Sequence, residues 1–169
     1  MLQLVNDFTF DGITEASLKL DEVLASSLFY EQGLVKFVSS GRSQDCFSPW
    51  MYVENSESVF KIEGYERFSL KMFDECRYLA EHYKHTGPVT CHLFKSPQGA
   101  TSFPAHTDPD DVVLYMVSGQ KDFEHDGGVL TLHEGEILLI PAGTTHRAIN
   151  TNDSIMLSFG LERFLVEKL

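Results

Sequence analysis

Residues 103–123, FPAHTDPDDVVLYMVSGQKDF, and residues 135–150, GEILLIPAGTTHRAIN, decide how this chain is read. The first carries His106 and Asp108, the second carries His146. His106 and Asp108 stand at i and i+2, and on a strand two such residues project from the same face. The apolar runs between them, 111–118 and 136–140, read as strands that lead the chain away and bring His146 back beside the first pair. Two imidazoles and one carboxylate cover one face of a metal ion and leave positions open, the donor set of non-heme Fe(II) sites. Taken singly, His106 reads as a solvent-facing turn histidine and His146 as a half-buried, hydrogen-bonded one. Taken together, the three point to a metal.

Outward from this stretch, everything after Pro88 has one texture. Strands are expected at 89–95, 102–107, 111–118, 120–124, 128–132, 136–140, 145–150 and 154–161, separated by turn sequences such as Pro97-Gln98-Gly99, Asp126-Gly127-Gly128 and Pro141-Ala142-Gly143. Short strands at that spacing predict an all-β barrel or jelly roll. The first half differs. Residues 1–12 read as an opening strand or arm. Ala16, Leu20, Val23, Leu24 and Leu28 have helical spacing, with Thr14 as N-cap and Gly33 closing the segment. Strands are expected at 34–38, 50–53 and 58–62, with a loop over 39–49. A second helix is expected over 69–84, its stripe formed by Met72, Phe73, Cys76, Leu79, Ala80 and Tyr83, stopped by Gly87 and Pro88. Both helices are expected on the outside of the sheet. The tail 162–169 reads as a closing strand or short helix. The expectation is a mainly β chain with one domain over 1–169: a helical and strand frame over 1–87 and a metal-binding barrel core over 88–161.

The chain has 169 residues, 43% hydrophobic and 22% charged, with 13 Phe and 6 Tyr, a composition that suits a globular β-rich core. Its formal net charge of −12 opposes phosphate backbones and anionic lipids, so neither nucleic acid nor membrane is expected as partner. Cys46, Cys76 and Cys91 are odd in number and form no Cys-x-x-Cys, which argues against a disulfide framework and for a reducing, cytoplasmic setting. The N-terminal residues MLQLVNDFTF lack the pattern of a signal peptide, and no apolar run approaches the ~20 residues of a membrane helix.

Gly135-x5-Pro141-x-Gly143-x2-His146-x3-Asn150 resembles the complete second motif of the cupin superfamily. The first motif is present in altered form: His106-x-Asp108 takes the place of His-x-His, Val112 stands where a glutamate ligand is usual, and Gly119 follows at the expected place. This ligand pattern, and the phrase Phe103-Pro104-Ala105-His106-x-Asp108 with Gly119 and Lys121 following, is similar to the JmjC branch of the superfamily, the asparaginyl-hydroxylase type. The resemblance covers about residues 88–161. It implies a double-stranded β-helix (jelly-roll or cupin) barrel with flanking N-terminal helices. It also implies Fe(II) held by His106, Asp108 and His146, and 2-oxoglutarate as cosubstrate with its far carboxylate on Lys121. By position alone Lys121 is equally a solvated turn lysine.

The sequence departs from those hydroxylases at Phe103, where they often carry a threonine that binds the cosubstrate. Thr101, Ser102 and Tyr115 are candidates to replace it. Asn150 and Ser158 are further candidate donors to a bound carboxylate, against a reading of both as ordinary strand-edge polarity. Arg147, next to His146, is expected to point away from the cavity, His92 to face the barrel in a structural role, and His125 and His133 to be exposed. Val112, Leu114, Leu138 and Ile140 are expected to keep the pocket dry. The leading expectation is an Fe(II)- and 2-oxoglutarate-dependent oxygenase that hydroxylates a small molecule or a peptide side chain. The rivals are a metal cupin that uses no 2-oxoglutarate, such as a small-molecule dioxygenase or isomerase, and a non-catalytic ligand-binding module. A homodimer is compatible with the resemblance.

Overall fold

The computed structural model describes residues 1–168. Among them ten strands form a mainly antiparallel framework organised by one long strand, β6 (Asp111–His125). Its first half pairs with β8 (Ile137–Ile140) on one side and β10 (Ser154–Leu161) on the other. Its second half leaves that sheet and pairs with β7 (Gly128–His133) and β9 (His146–Ile149). The strand changes sheets at Gly119. Its φ of +76° lies where L side chains are strained, and a Cβ there would stand 2.0 Å from the carbonyl oxygen of Asp153. The inward phase changes there too: Leu114 and Met116 face the barrel before the glycine, Lys121 and Phe123 after it. The two runs expected at 111–118 and 120–124 are therefore one bent strand.

The larger sheet continues from β10 to β5 (Val89–Ser96), then β4 (Phe60–Ile62), β2 (Val35–Ser39) and β3 (Arg42–Asp45), while β1 (Gln3–Val5) closes its other edge against β8. Two apolar layers result. Between the sheets lie Leu114, Met116, Phe123, Leu132, Leu138, Ile140 and Met156. On the outer face of the large sheet, the alternate residues Val113, Tyr115, Leu157, Phe159, Cys91 and Leu93 pack under the N-terminal frame. Phe10 from that frame stacks on Phe159 at 5.1 Å and meets Tyr115 at 5.0 Å.

The frame is where the sequence misleads most. The helix expected from Thr14 is three short ones, α1 (Glu15–Leu18), α2 (Leu20–Ala25) and α3 (Ser27–Glu31). Thr14 caps the first through a reciprocal pair with Ser17, but Lys19 turns left-handed (φ 51°) and Ser26 is extended, so Leu18, Leu20, Leu24 and Phe29 are buried while Leu28 is exposed. The strand expected at 50–53 is α4 (Pro49–Glu54), started by the Ser48 hydroxyl on the Met51 N–H and by Pro49 in its first turn. The loop expected over 39–49 contains β3, four exposed residues with no apolar alternation to betray them. The helix expected over 69–84 is α5 (Leu70–His82), capped by Ser69, with Met72, Cys76 and Leu79 buried. No strand forms over 102–107; His106 makes only an isolated bridge with His146. The tail carries α6 (Leu165–Lys168), and Leu169 lies outside the described residues.

Candidate metal centre

The ligand-bearing segments are locked to each other before any ion is considered. The His106 N–H donates to the His146 carbonyl at 3.0 Å and the His146 N–H to the His106 carbonyl at 2.9 Å. The Gly143 N–H donates to the Asp108 carbonyl at 2.9 Å, and the Ala142 N–H to Asp111 Oδ1 at 2.7 Å. The turn Pro141-Ala142-Gly143, with Gly143 at φ +77°, thus fastens the second segment to both ends of the first. A strand-like alternation at 102–107 is not needed, because these bonds fix His106 and Asp108 directly.

The three donor atoms converge. Asp108 Oδ1 is 3.9 Å from His106 Nε2, Asp108 Oδ2 is 3.5 Å from His146 Nε2, and one ligand atom from each residue lies within 4.8 Å of the others. Ligands ~2.1 Å from one ion stand about 3 to 4 Å apart, so small side-chain movements seat a metal here. The ring tautomers suit it. His106 Nδ1 lies 2.8 Å from the Pro104 carbonyl and His146 Nδ1 lies 3.0 Å from the Thr144 carbonyl. A carbonyl only accepts, so in the neutral rings the proton sits on Nδ1 and the Nε2 lone pair faces the centre. Two oriented imidazoles and one carboxylate from one side fit a divalent ion with open positions.

The triad opens on a cavity of about 280 Å³ between the sheets, walled in part by Val112, Leu114, Ile140, Phe123 and Met156. Leu138, expected beside them, packs in the inner layer away from this wall. At the inner end stands Lys121, 2% exposed. Its ammonium donates to Ser96 Oγ at 2.9 Å and lies 5.9 Å from the Phe94 ring; no carboxylate pairs with it among the described residues. Burial pushes its pKa down to about 7. The reading of Lys121 as a solvated turn lysine is thereby overturned: the bend at Gly119 turns it inward.

The other candidates divide. Ser158 lies on the cavity wall, opposite Leu114 and His92 in the sheet register. Ser102 and Phe103 also border the cavity, Phe103 edge-on to His106 with ring centres 6.2 Å apart. Thr101 is exposed in a separate groove beside Arg147 and Asn150, and does not reach the cavity. Tyr115 has the wrong parity: it faces outward into the frame, against Phe10. Asn150 is buried, but its Nδ2 donates to the Ala100 carbonyl at 2.7 Å and its own carbonyl accepts from the Gly99 N–H at 2.7 Å, so it fastens the loop after β5. Arg147 points away as expected and pairs with Glu124 at 2.8 Å. His133 is exposed, whereas His125 is half-buried, its Nδ1 accepting from the Gly127 N–H. Ser96 escaped notice because it lies one residue past the expected end of its strand. Period-two alternation from His92 through Phe94 was the signal that could have found it.

Comparisons with known proteins agree with this architecture. Residues 92–160 match the family model described as the Cupin domain. No curated protein matches the chain. Among solved structures, the ribosomal oxygenase YcfD from Escherichia coli in complex with cobalt and succinic acid aligns with a TM-score of 0.67 and 17% identity, over 99% of this chain and 49% of its own. A second structure of YcfD aligns with a TM-score of 0.64 over 98% and 49% at the same identity. Salicylate 1,2-dioxygenase from Pseudoaminobacter salicylatoxidans aligns over 43% of this chain and 20% of its own, with a TM-score of 0.38 and 14% identity. The chain spans about half the length of YcfD. The fold is the mainly β cupin fold, with helices supplied by the N-terminal frame.

Proposed function

We propose that this chain is a metal-dependent oxygenase of the JmjC-like kind, using Fe(II) and 2-oxoglutarate to hydroxylate a small molecule or a peptide side chain. The observation that carries the reading is Lys121: a buried cation without a carboxylate partner among the described residues, in the same cavity as an oriented His-Asp-His triad. A buried ammonium is costly unless a counter-charge joins it. A dicarboxylate that reaches from the triad to Lys121 supplies that charge. YcfD, which shares the fold, has been solved with cobalt and succinic acid, a divalent ion and a dicarboxylate.

His106, Asp108 and His146 would hold Fe(II), their Nε2 atoms and carboxylate aimed by backbone partners. When bound, Fe(II) with 2-oxoglutarate and O₂ supplies the oxidising power, with succinate and CO₂ as the co-products of hydroxylation. The chain's own residues do the rest. Lys121, held by Ser96, pairs with the far carboxylate and sets the cosubstrate's depth. Val112, Leu114, Ile140 and Met156 exclude water from the reacting region. The cavity sits near the lower end of ligand-pocket sizes, which suits a compact cosubstrate plus one side-chain-sized group.

Calorimetric titration of the anaerobic Fe(II)-loaded protein with 2-oxoglutarate tests this. Lys121→Ala should retain iron and bind 2-oxoglutarate about a hundredfold more weakly, because a buried charge pair loses one partner. Unchanged affinity would make Lys121 incidental and favour a metal cupin that works without 2-oxoglutarate.

A further inference from the structure

The triad and Lys121 leave a third polar feature of the cavity without a task. His92 sits on the inner face of β5 between Thr90 and Phe94, directly opposite Ser158 of β10 in the sheet register. β5 pairs with β10 along its whole length and with β4 over residues 93–95, and the half-buried ring lines the cavity. The Gly64 N–H donates to His92 Nδ1 at 3.3 Å. A backbone N–H can only donate, so Nδ1 is the acceptor and the proton of the neutral ring resides on Nε2. Burial, with help from Lys61 and against Glu63, pushes the pKa of His92 down to about 4, which keeps the ring neutral at physiological pH. Nε2 has no hydrogen-bond partner among the described residues.

Two more donors share this wall. The Ser158 hydroxyl stands beside the ring, and Lys61, paired with Glu63 at 3.3 Å, lines the same side. The region is separate from the Lys121 end: Ser96 lies four residues further along β5, roughly 13 Å at the rise of an extended strand. On this side Glu162 accepts from the Thr90 hydroxyl at 2.8 Å, and the fixed, neutral N–H of His92 is matched by an oxygen that accepts.

Resting on the oxygenase reading above, we propose that His92 is a recognition residue for the molecule to be oxidised: its Nε2–H donates to a carbonyl or carboxylate oxygen of that substrate, with Ser158 as the neighbouring donor. The substrate class is thus one that carries an oxygen acceptor next to the carbon presented to the triad. His92 orients it and takes no part in the oxidation.

Nuclear magnetic resonance on protein labelled with ¹⁵N-histidine tests this, with acetate as the probe and the His92→Leu spectrum to assign the ring. The expected result is the Nε2–H tautomer between pH 6 and 8, with an Nε2–H proton signal that moves saturably with acetate. The same movement is expected in Lys121→Ala, where the other carboxylate partner is gone. Acetate affinity, read on the Ser158 amide in uniformly ¹⁵N-labelled protein, should fall about tenfold in His92→Leu, the loss of one hydrogen bond to a charged acceptor. It should hold within about twofold in His92→Gln, whose side-chain amide still donates. An Nδ1–H tautomer, an Nε2–H signal indifferent to acetate, or unchanged affinity in His92→Leu would each overturn the proposal. Failure of 2-oxoglutarate to bind, with the acetate response of His92 intact, would instead overturn the cosubstrate reading and leave the acceptor site standing.

Discussion

Replacing Lys121 with methionine should make the ligand-free protein more stable in mild acid. In the unfolded chain a lysine titrates at 10.5, whereas burial brings Lys121 to about 7 in the fold. Below pH 7 both states carry the proton, and the fold bears the whole cost of the buried charge. At about 1.4 kcal/mol per pH unit that cost is about 5 kcal/mol. Between about pH 7 and 10.5 the unfolded chain binds more protons than the fold, so stability rises with pH, and by pH 9 the remaining cost is about 2 kcal/mol. Methionine removes the charge and leaves the Ser96 hydroxyl without its partner, a loss of about 1–3 kcal/mol. The net gain in the variant is then about 3 kcal/mol at pH 6 and close to nothing at pH 9. Urea unfolding of both proteins at pH 6, 7, 8 and 9, in chelator and without carboxylate buffers, reads this directly. The wild type should gain about 3 kcal/mol on the variant between pH 6 and 9. Equal slopes of stability with pH in the two proteins would refute the argument that Lys121 is a buried, uncompensated cation.

Three other outcomes follow from the same structure. His146→Ala removes one of three ligands and should weaken Fe(II) binding more than a hundredfold in an anaerobic titration, with the far-ultraviolet dichroism of the sheet retained. Gly119→Ala places a Cβ 2.0 Å from the Asp153 carbonyl at a φ of +76°, and should cost more than about 3 kcal/mol in denaturant unfolding or prevent folding altogether. Thr14→Ala breaks the reciprocal pair with Ser17 and should cost only about 1 kcal/mol, with Fe(II) binding unaltered.

The barrel half was legible because its code is local. Alternation places Leu114 and Met116 inward, turn sequences mark the strand ends, and the triad sits on glycine- and proline-punctuated segments whose backbone bonds the motif anticipates. Lys121 is singled out by the family resemblance, its position alone fitting a turn lysine equally well, and only the bend in β6 explains how it becomes buried. The frame was less legible, since its structure depends on contacts made elsewhere. Lys19 breaks a continuous helical stripe because Leu18 and Leu20 both have to reach the core, and β3 forms an exposed edge paired with β2. The errors over Tyr115 and Asn150 are of one kind. A hydroxyl or amide near the triad in sequence points outward, or into a loop, when parity or a backbone partner claims it. His92, which lines the cavity as alternation predicts, and Ser96, which reaches it only through the Lys121 ammonium, show the converse. They lie far from the motif in sequence and are brought to it by the pairing of β5 with β10.

The central claim, that His106, Asp108 and His146 hold Fe(II) in a cavity that also takes 2-oxoglutarate, is met most directly by an anaerobic optical titration. Fe(II) is added to the purified protein first and 2-oxoglutarate second, with visible absorption followed throughout. A metal-to-ligand charge-transfer band that appears only when both are present, and is absent in His146→Ala, is the predicted result. A protein that binds no Fe(II), or binds it and develops no such band with 2-oxoglutarate, would contradict the account.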